Sequence, residues 1–266
     1  MTGLAYPEIS PVMLNLGFME IRWYSLAYLV GIIAAWVLIG FNIKKYALNI
    51  KKSELDDLIF NITLGIILGG RLFYVLFYNT QIIFHNPLEI FALWHGGMSF
   101  HGGLIGAVSG IYYSAKKMKQ PFFLLSDLAA LYTPIGLFLG RIANFINDEL
   151  WGRVTNLPWA VKFPNGGYLP RHPSQIYEAL LEGVALFVIL NFLWRYEWVR
   201  KRHGFISGVF LTCYALSRLI VECFRQPDAQ IGFIFKILTM GQILSLPFLL
   251  IGIWIVYRSV KEKSAS

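Results

Sequence analysis

The chain has 266 residues, is 56% hydrophobic, and carries only 14% charged residues. Its mean hydropathy is +0.57. A soluble domain has roughly 25% charged residues with which to cover its core, so this composition excludes an ordinary soluble protein and indicates a membrane protein. The net charge is +8, from 23 Lys+Arg against 15 Asp+Glu. The cations form short clusters between apolar runs, as membrane topology requires. No motif for reading DNA or RNA occurs, so no nucleic-acid partner is expected.

A helix needs about 20 apolar residues to cross the hydrocarbon core. Seven such spans are predicted, at 22–41, 57–78, 97–115, 121–144, 175–194, 205–223 and 238–257. The first is too long for a cleaved signal sequence and reads as a retained span. The expected fold is therefore an all-α integral membrane protein with seven transmembrane helices. It forms one transmembrane domain over 1–266, with residues 145–174 as a small periplasmic head segment. The Pro and Gly content of that segment predicts turns and a short hairpin.

Cations follow the odd-numbered spans. Lys44, Lys45, Lys51 and Lys52 follow the first, and Lys116, Lys117 and Lys119 the third. Arg195, Arg200, Lys201 and Arg202 follow the fifth, and Arg258, Lys261 and Lys263 the seventh. Seven crossings place all four clusters on one side. The positive-inside rule makes that side cytoplasmic, with the N-terminus periplasmic and the C-terminus cytoplasmic. Residues 79–93 contain no Lys or Arg, as suits an outer loop.

Several ionisable residues fall at or within the spans, where a charge costs roughly 2.5–3.5 kcal/mol on insertion scales. Arg71 and Arg218 are the deepest candidates. In "GVFLTCYALSRLIVECFRQPD", Tyr214, Arg218, Glu222 and Arg225 are spaced 4, 4 and 3, which forms one helical stripe. Two functions suit this stripe: an internal Arg218–Glu222 pair that fixes packing, or an anion site in which Glu222 orients Arg218. A guanidinium matches phosphate because its planar fork donates two parallel hydrogen bonds.

At the end of the fourth span stands "GRIANFINDELWGR", residues 140–153. Arg141, Asn144 and Asp148 share a face if the helix persists, with Glu149 beside it. Gly136 and Gly140 permit close approach of a neighbouring helix. In "HGGMSFHGGLIG", residues 95–106, His95 and His101 each precede a glycine pair at a span start. Glycine allows a ligand close to the backbone, and free N–H groups there attract anions. No Cys/His set has zinc-ligand spacing, so neither a metal nor a cofactor is expected. In "RHPSQIYEALLEG", Ser174 reads as an N-cap. Glu178 and Glu182, one turn apart, read as helix-face carboxylates bound to partners. Cys213 and Cys223 share one apolar run and read as small buried thiols.

These residues imply a membrane-embedded, Arg-rich cavity near the outer leaflet and an anionic ligand such as a phosphate headgroup. An enzyme and a transporter or flippase for an anionic lipid both suit such a cavity, although no paired half-repeats of the transporter kind occur. A purely structural bundle leaves the outer arginines without a reason.

The stretches "GRIANFINDELWGR", "GGMSFHGGLIG", "LPRHPSQIYEALLEG" and "FRQPDAQ" followed by "MGQILSLP" resemble the bacterial prolipoprotein diacylglyceryl transferases. The resemblance covers nearly the whole chain from "IRWYSLAYLVG" onward. It implies an enzyme of the bacterial inner membrane that moves the diacylglyceryl group of phosphatidylglycerol onto the lipobox cysteine of prolipoprotein signal peptides. A thioether forms and glycerol phosphate leaves. The reacting cysteine belongs to the substrate. By the same resemblance Arg141 and Arg218 grip the phosphate and His101 is the candidate base. Asn144, Glu149 and Glu222 position these groups. Tyr214, Tyr24 and Gly102 belong to the substrate-binding set.

The cation asymmetry predicts a labelling pattern. A single cysteine at position 166 reacts with an impermeant thiol reagent in intact spheroplasts, and one at position 201 does not. The reverse pattern overturns this orientation.

Overall fold

The computed structural model describes residues 3–17, 19–167, 169–227, 233–234 and 238–261. Asp228–Gln230 of the "FRQPDAQ" stretch, Lys236 and Lys263 lie outside the described residues. The predicted spans all form helices: α1 (Trp23–Lys45), α2 (Lys52–Phe77), α3 (Phe100–Met118), α4 (Phe122–Ile146), α5 (Ser174–Trp194), α6 (Phe205–Glu222) and α7 (Met240–Lys261). Six of them are long and apolar enough to cross a membrane, which makes the chain a multi-pass membrane protein. The exception is α3, whose glycines, serines and His101 dilute its apolar character. Large side chains such as Leu64, Leu68, Leu72, Val188, Phe192, Leu250 and Trp254 point outward and are exposed. A water-soluble surface rarely shows so much continuous apolar area, whereas lipid solvates it.

The chain packs as two compact units, Trp36–Leu128 and the remainder. Within Trp36–Leu128, α2 and α3 meet through glycines. A Cβ on Gly65 would lie 2.1 Å from the Gly106 carbonyl oxygen, and one on Gly102 would lie 2.3 Å from the Gly69 oxygen. Small residues at four-residue spacing let two backbones touch, and the resulting van der Waals contact drives helix association in lipid. Asn61 Nδ2 donates to Ser114 Oγ at 3.0 Å, and Lys117 Nζ reaches Asp57 Oδ2 at 2.7 Å. Arg71 is buried here and has no carboxylate partner among the described residues. It donates to the carbonyl oxygens of Glu89 at 2.6 Å, Ile90 at 3.0 Å and Gly97 at 3.3 Å, and to that of Gly96. It thus ties the irregular segment 86–97 to α2.

In the other unit, α6 and α7 also meet at glycines: a Cβ on Gly252 would lie 2.7 Å from the Thr212 nitrogen. Gly31 of α1 comes close to Gly136 of α4, with 3.1 Å between a built Cβ and the Gly136 Cα. Nothing lies within 4 Å of a Cβ on Gly136 or on Gly140, so it is the missing Cβ of Gly31, and not the two α4 glycines predicted to admit a neighbour, that permits this approach. Helix α4 ends at Ile146, where the Tyr6 hydroxyl donates to the Phe145 and Ile146 carbonyls, both at 2.8 Å. The last carbonyls of a helix lack partners within it, and that of Phe145 also accepts from the Asp148 N–H at 3.1 Å.

Beyond it, Asp148 and Leu150 adopt left-handed φ values of 52° and 60°. The face predicted for Arg141, Asn144 and Asp148 is therefore broken. Asp148 Oδ2 instead accepts from the Asn165 backbone N–H at 2.6 Å. Strand β1 (Leu4–Ala5) pairs in parallel with β2 (Val161–Lys162), and isolated bridges join Gly152 to Arg225 and Val154 to Arg171. The expected short hairpin is present as the antiparallel Val161–Arg171 bridge, in which each backbone N–H donates to the other's carbonyl at 2.9 Å, and the N-terminal strand pairs beside it. Ser174 does not cap α5; its hydroxyl donates to the Leu150 carbonyl at 2.8 Å. Cys213 and Cys223 are free thiols, and Cys223 is exposed rather than buried.

The glycine contact between α2 and α3 makes a quantitative expectation. Gly106→Val forces two backbones apart and costs about 1–3 kcal/mol, the usual range for overpacking. Gly103→Ala adds only ordinary contact, because its nearest neighbour would be Ile66 at 3.7 Å. Thermal melting in detergent should drop for the first variant and stay near wild type for the second.

Candidate active site

The site forms where α4, α5 and α6 bring ionisable side chains together. Arg141 on α4 places Nη1 3.0 Å from Glu178 Oε2, and its Nε and Nη2 donate to Glu182 Oε2 at 3.2 and 3.0 Å. Arg218 on α6 pairs with Glu178 and, one turn along its own helix, with Glu222. Arg225, just past α6, reaches Glu178 Oε1 at 3.2 Å. Three guanidinium groups and three carboxylates thus interlock. Glu178 and Glu182 are fully buried, and the Arg141 and Arg218 side chains are 15% and 14% exposed.

The local sequence explains why these groups meet. Residues Ala179–Ala185 of α5 form a π-helical segment, a widened turn common at functional sites. Within it Gly183 packs on Phe138 of α4, where a Cβ would lie 2.6 Å from the Phe138 Cβ. A glycine is needed there for α5 to approach Arg141. Gly241, near the start of α7, plays the same part for Glu222: a Cβ would lie 2.3 Å from the Glu222 carboxylate. Thr239 Oγ1 then donates to Glu222 Oε2 at 2.7 Å. Arg153 donates to the backbone carbonyls of Glu222 at 3.2 Å and Arg225 at 3.0 Å, which holds the end of α6.

The polar groups after α4 form a second tier. Asn144 Nδ2 donates to Glu149 Oε1 at 2.7 Å, and Asn147 Nδ2 to the same oxygen at 3.2 Å. Gln175 Nε2 donates to the Glu149 carbonyl at 2.6 Å and so anchors that turn to α5. Nearby, His172 Nδ1 lies 3.2 Å from the Tyr177 hydroxyl, which also accepts from Trp159 Nε1 at 2.7 Å. Burial lowers the His172 pKa, and the Arg153 charge lowers it further. His172 is therefore a neutral member of an aromatic cluster with Tyr177 and Phe224. Burial raises the Asp148 pKa, against the lowering effect of the Asn165 hydrogen bond.

Of the residues singled out from sequence, Arg141, Arg218 and Glu222 belong to the charge cluster. Tyr214 lies one helical turn before Arg218 and within electrostatic range of Glu182 and Arg141. Asn144 and Glu149 are hydrogen-bonded to each other. Tyr24 packs edge-on against Tyr28 with ring centres 5.2 Å apart, and Tyr28 feels the Arg141 charge. His101 and Gly102 open α3 in the Trp36–Leu128 unit. There Ser99 Oγ accepts from the Gly102 N–H at 3.3 Å, and the space beside Gly102 is filled by Gly69 and Phe73 of α2. The sequence reading left Glu178 and Glu182 outside the site. Their signal was present all the same: arginines within and at the ends of spans require buried carboxylates, and these two lie within a span.

An apolar helical bundle with an internal guanidinium–carboxylate centre defines a polytopic membrane protein that holds ionised groups within its fold. Residues 11–258 match the family of prolipoprotein diacylglyceryl transferases. A phosphatidylglycerol–prolipoprotein diacylglyceryl transferase of Legionella pneumophila (strain Lens) is 49% identical, over 95% of this chain and 98% of its own length. The enzyme of that name from Rhodospirillum rubrum is 50% identical over 97% and 96%. That from Pseudomonas aeruginosa (strain LESB58) is 48% identical over 98% of each chain. The chain belongs to the prolipoprotein diacylglyceryl transferase family.

The geometry sets an expectation for Arg218, whose guanidinium spans Glu178 and Glu222. A lysine is a point charge and cannot bridge both while also presenting a fork to an anion. Arg218→Lys should keep its fold, read as an unchanged elution profile in detergent, and lose on the order of 100-fold in turnover. Wild-type turnover in the folded variant means that Arg218 serves packing alone.

Proposed function

We propose that this protein transfers the diacylglyceryl group of phosphatidylglycerol to the lipobox cysteine thiol of prolipoprotein signal peptides, the first step of bacterial lipoprotein maturation. The observation that carries this reading is the buried Arg141–Arg218–Arg225 cluster in a chain nearly half identical to enzymes of that name over almost its whole length. The protein works in the bacterial inner membrane among the lipids that supply its donor. In this reading the chain is one transmembrane domain of seven crossings, with α3 as the least apolar. Residues 145–174 form a periplasmic head, the N-terminus is periplasmic and the C-terminus cytoplasmic.

The thiol of the substrate cysteine must first lose its proton, because the thiolate is the nucleophile. His101 is the proposed base. The sulfur then attacks the glyceryl carbon next to the phosphate ester. A C–S bond forms, the C–O bond breaks, and its electron pair leaves on the phosphate oxygen of glycerol phosphate. Arg141 and Arg218 hold the phosphate and stabilise the charge that develops on it. Glu222 orients Arg218, while Asn144 and Glu149 support the turn beyond Arg141. Tyr214, Tyr24 and Gly102 complete the lipid-binding set.

Purified protein with labelled phosphatidylglycerol and a lipobox peptide should yield modified peptide and glycerol phosphate together. Loss of labelled lipid from one leaflet without product would instead support transport. The roles within the site separate by pH. His101→Gln should recover part of its activity as the assay approaches the thiol's own pKa, about 8.5, because hydroxide then supplies the thiolate. Arg141→Ala should not recover, because a lost guanidinium is not replaced by base. A flat profile for His101→Gln removes it as the base.

A further inference from the structure

The two edges of the Arg141 guanidinium are already occupied. Nε and Nη2 share Glu182 Oε2, and Nη1 faces Glu178 Oε2. An anion that takes a two-point grip on Arg141 must displace one of these carboxylates. The two are held very differently. Glu178 is shared by arginines from three places in the chain: Arg141 of α4, Arg218 of α6 and Arg225 beyond it. Removing it would take a shared partner from three cations at once, and breaking even one buried pair costs about 3–5 kcal/mol. Glu182 makes its ion pair with Arg141 alone among the described residues, and through a single oxygen. Its other oxygen, Oε1, is buried and has no hydrogen-bond partner. An unsatisfied buried acceptor is costly. Glu178 Oε2 also lacks a hydrogen bond but faces Arg141 Nη1 at 3.0 Å, whereas among the described residues Glu182 Oε1 has neither hydrogen bond nor ion pair, so Glu182 is the more weakly held carboxylate. It also stands in the π-helical segment, whose wider turn leaves the backbone less regular than the α-helix on either side.

We infer that Glu182 is an internal stand-in for the substrate phosphate: it occupies the Nε/Nη2 edge of Arg141 in the lipid-free protein and is displaced from that edge when the phosphodiester binds. Glu178 remains and is the positioning residue that keeps Arg141, Arg218 and Arg225 in register. The charge balance agrees. With Glu182 the three arginines meet three glutamates and the centre is neutral. Without the Glu182 charge the centre has one spare positive charge, which matches the single negative charge of a phosphodiester. The cost of this arrangement is affinity. Its gain is that the Nε/Nη2 edge of Arg141 is not left unpaired in the bilayer between turnovers, where incompletely compensated charge is expensive.

The inference rests on the transferase reading for its substrate, and the test keeps the two apart. Glycerol phosphate binding to the full chain in detergent is measured by calorimetry, without turnover. KM for phosphatidylglycerol and kcat are measured separately with the lipobox peptide. In Glu182→Gln, the Kd for glycerol phosphate and the KM for phosphatidylglycerol should both fall about tenfold, a change equivalent to about 1.4 kcal/mol. kcat should not rise, because the gain is in ground-state binding. Glu178→Gln should behave oppositely, with kcat reduced on the order of 100-fold as the arginines lose their common partner. Glu182→Asp withdraws the carboxylate by one methylene and should give a smaller fall in Kd. It decides the question if the Gln variant cannot be recovered folded. An unchanged or raised Kd in whichever Glu182 variant folds overturns the exchange. Absence of peptide modification by the wild-type protein overturns the transferase reading and leaves the binding result to stand by itself.

Discussion

The interaction on which the rest of the site depends is the carboxylate of Glu178 shared among Arg141, Arg218 and Arg225. Charge within an apolar bundle is tolerated only when it is paired and hydrogen-bonded. A single fully buried carboxylate that serves three guanidinium groups meets that demand from one position. It also couples three parts of the chain, because the three arginines share one partner. The cluster is therefore more than a local ion pair. It sets the angle at which each planar fork faces the interior, and a two-point contact with phosphate is sensitive to that angle.

Backbone proximity makes the cluster possible. Gly183 admits α5 against Phe138 of α4, and Gly241 leaves room for the Glu222 carboxylate beside α7. In both places the missing Cβ serves electrostatics as much as packing, because a side chain would push a charge away from its partner. The glycines between α2 and α3 do a different task. They let two helices touch along a seam with few polar groups, where van der Waals contact is the main source of association in lipid. Arg71 shows a third solution for a buried cation. Backbone carbonyls surround it in place of a carboxylate, and it organises the loop that leads to His101.

The segment after α4 shows how a distant contact redirects local structure. Tyr6 takes the terminal carbonyls of α4, its ring packs on Phe145 and Phe163, and the chain turns away through left-handed Asp148 and Leu150. That turn brings Glu149 to Asn144 and to Gln175. The polar tier next to the arginines is thus built by a helix stop rather than by a longer helix.

Hydropathy alone located the helices, because each buries or exposes an apolar surface long enough to read without knowing its neighbours. The 4, 4 and 3 spacing likewise made the Tyr214–Arg218–Glu222–Arg225 stripe legible, since those residues share one helix and its period is local. What lay beyond reach was pairing between elements. The partners of Arg141 stand on α5, roughly forty positions away, and nothing in the spacing of Glu178 and Glu182 names the cation that each will meet. The end of α4 was hidden for the same reason: Asp148 continues the helical pattern, and Tyr6, arriving from the far N-terminal segment, joins the backbone N–H groups of the following turn in capping the last carbonyls. Local periodicity determined which side chains could share a face. The packing of the helices through Gly183 and Gly241 decided which opposite charges share a site, because Coulomb attraction and hydrogen bonding depend on distance in space and not on distance along the chain.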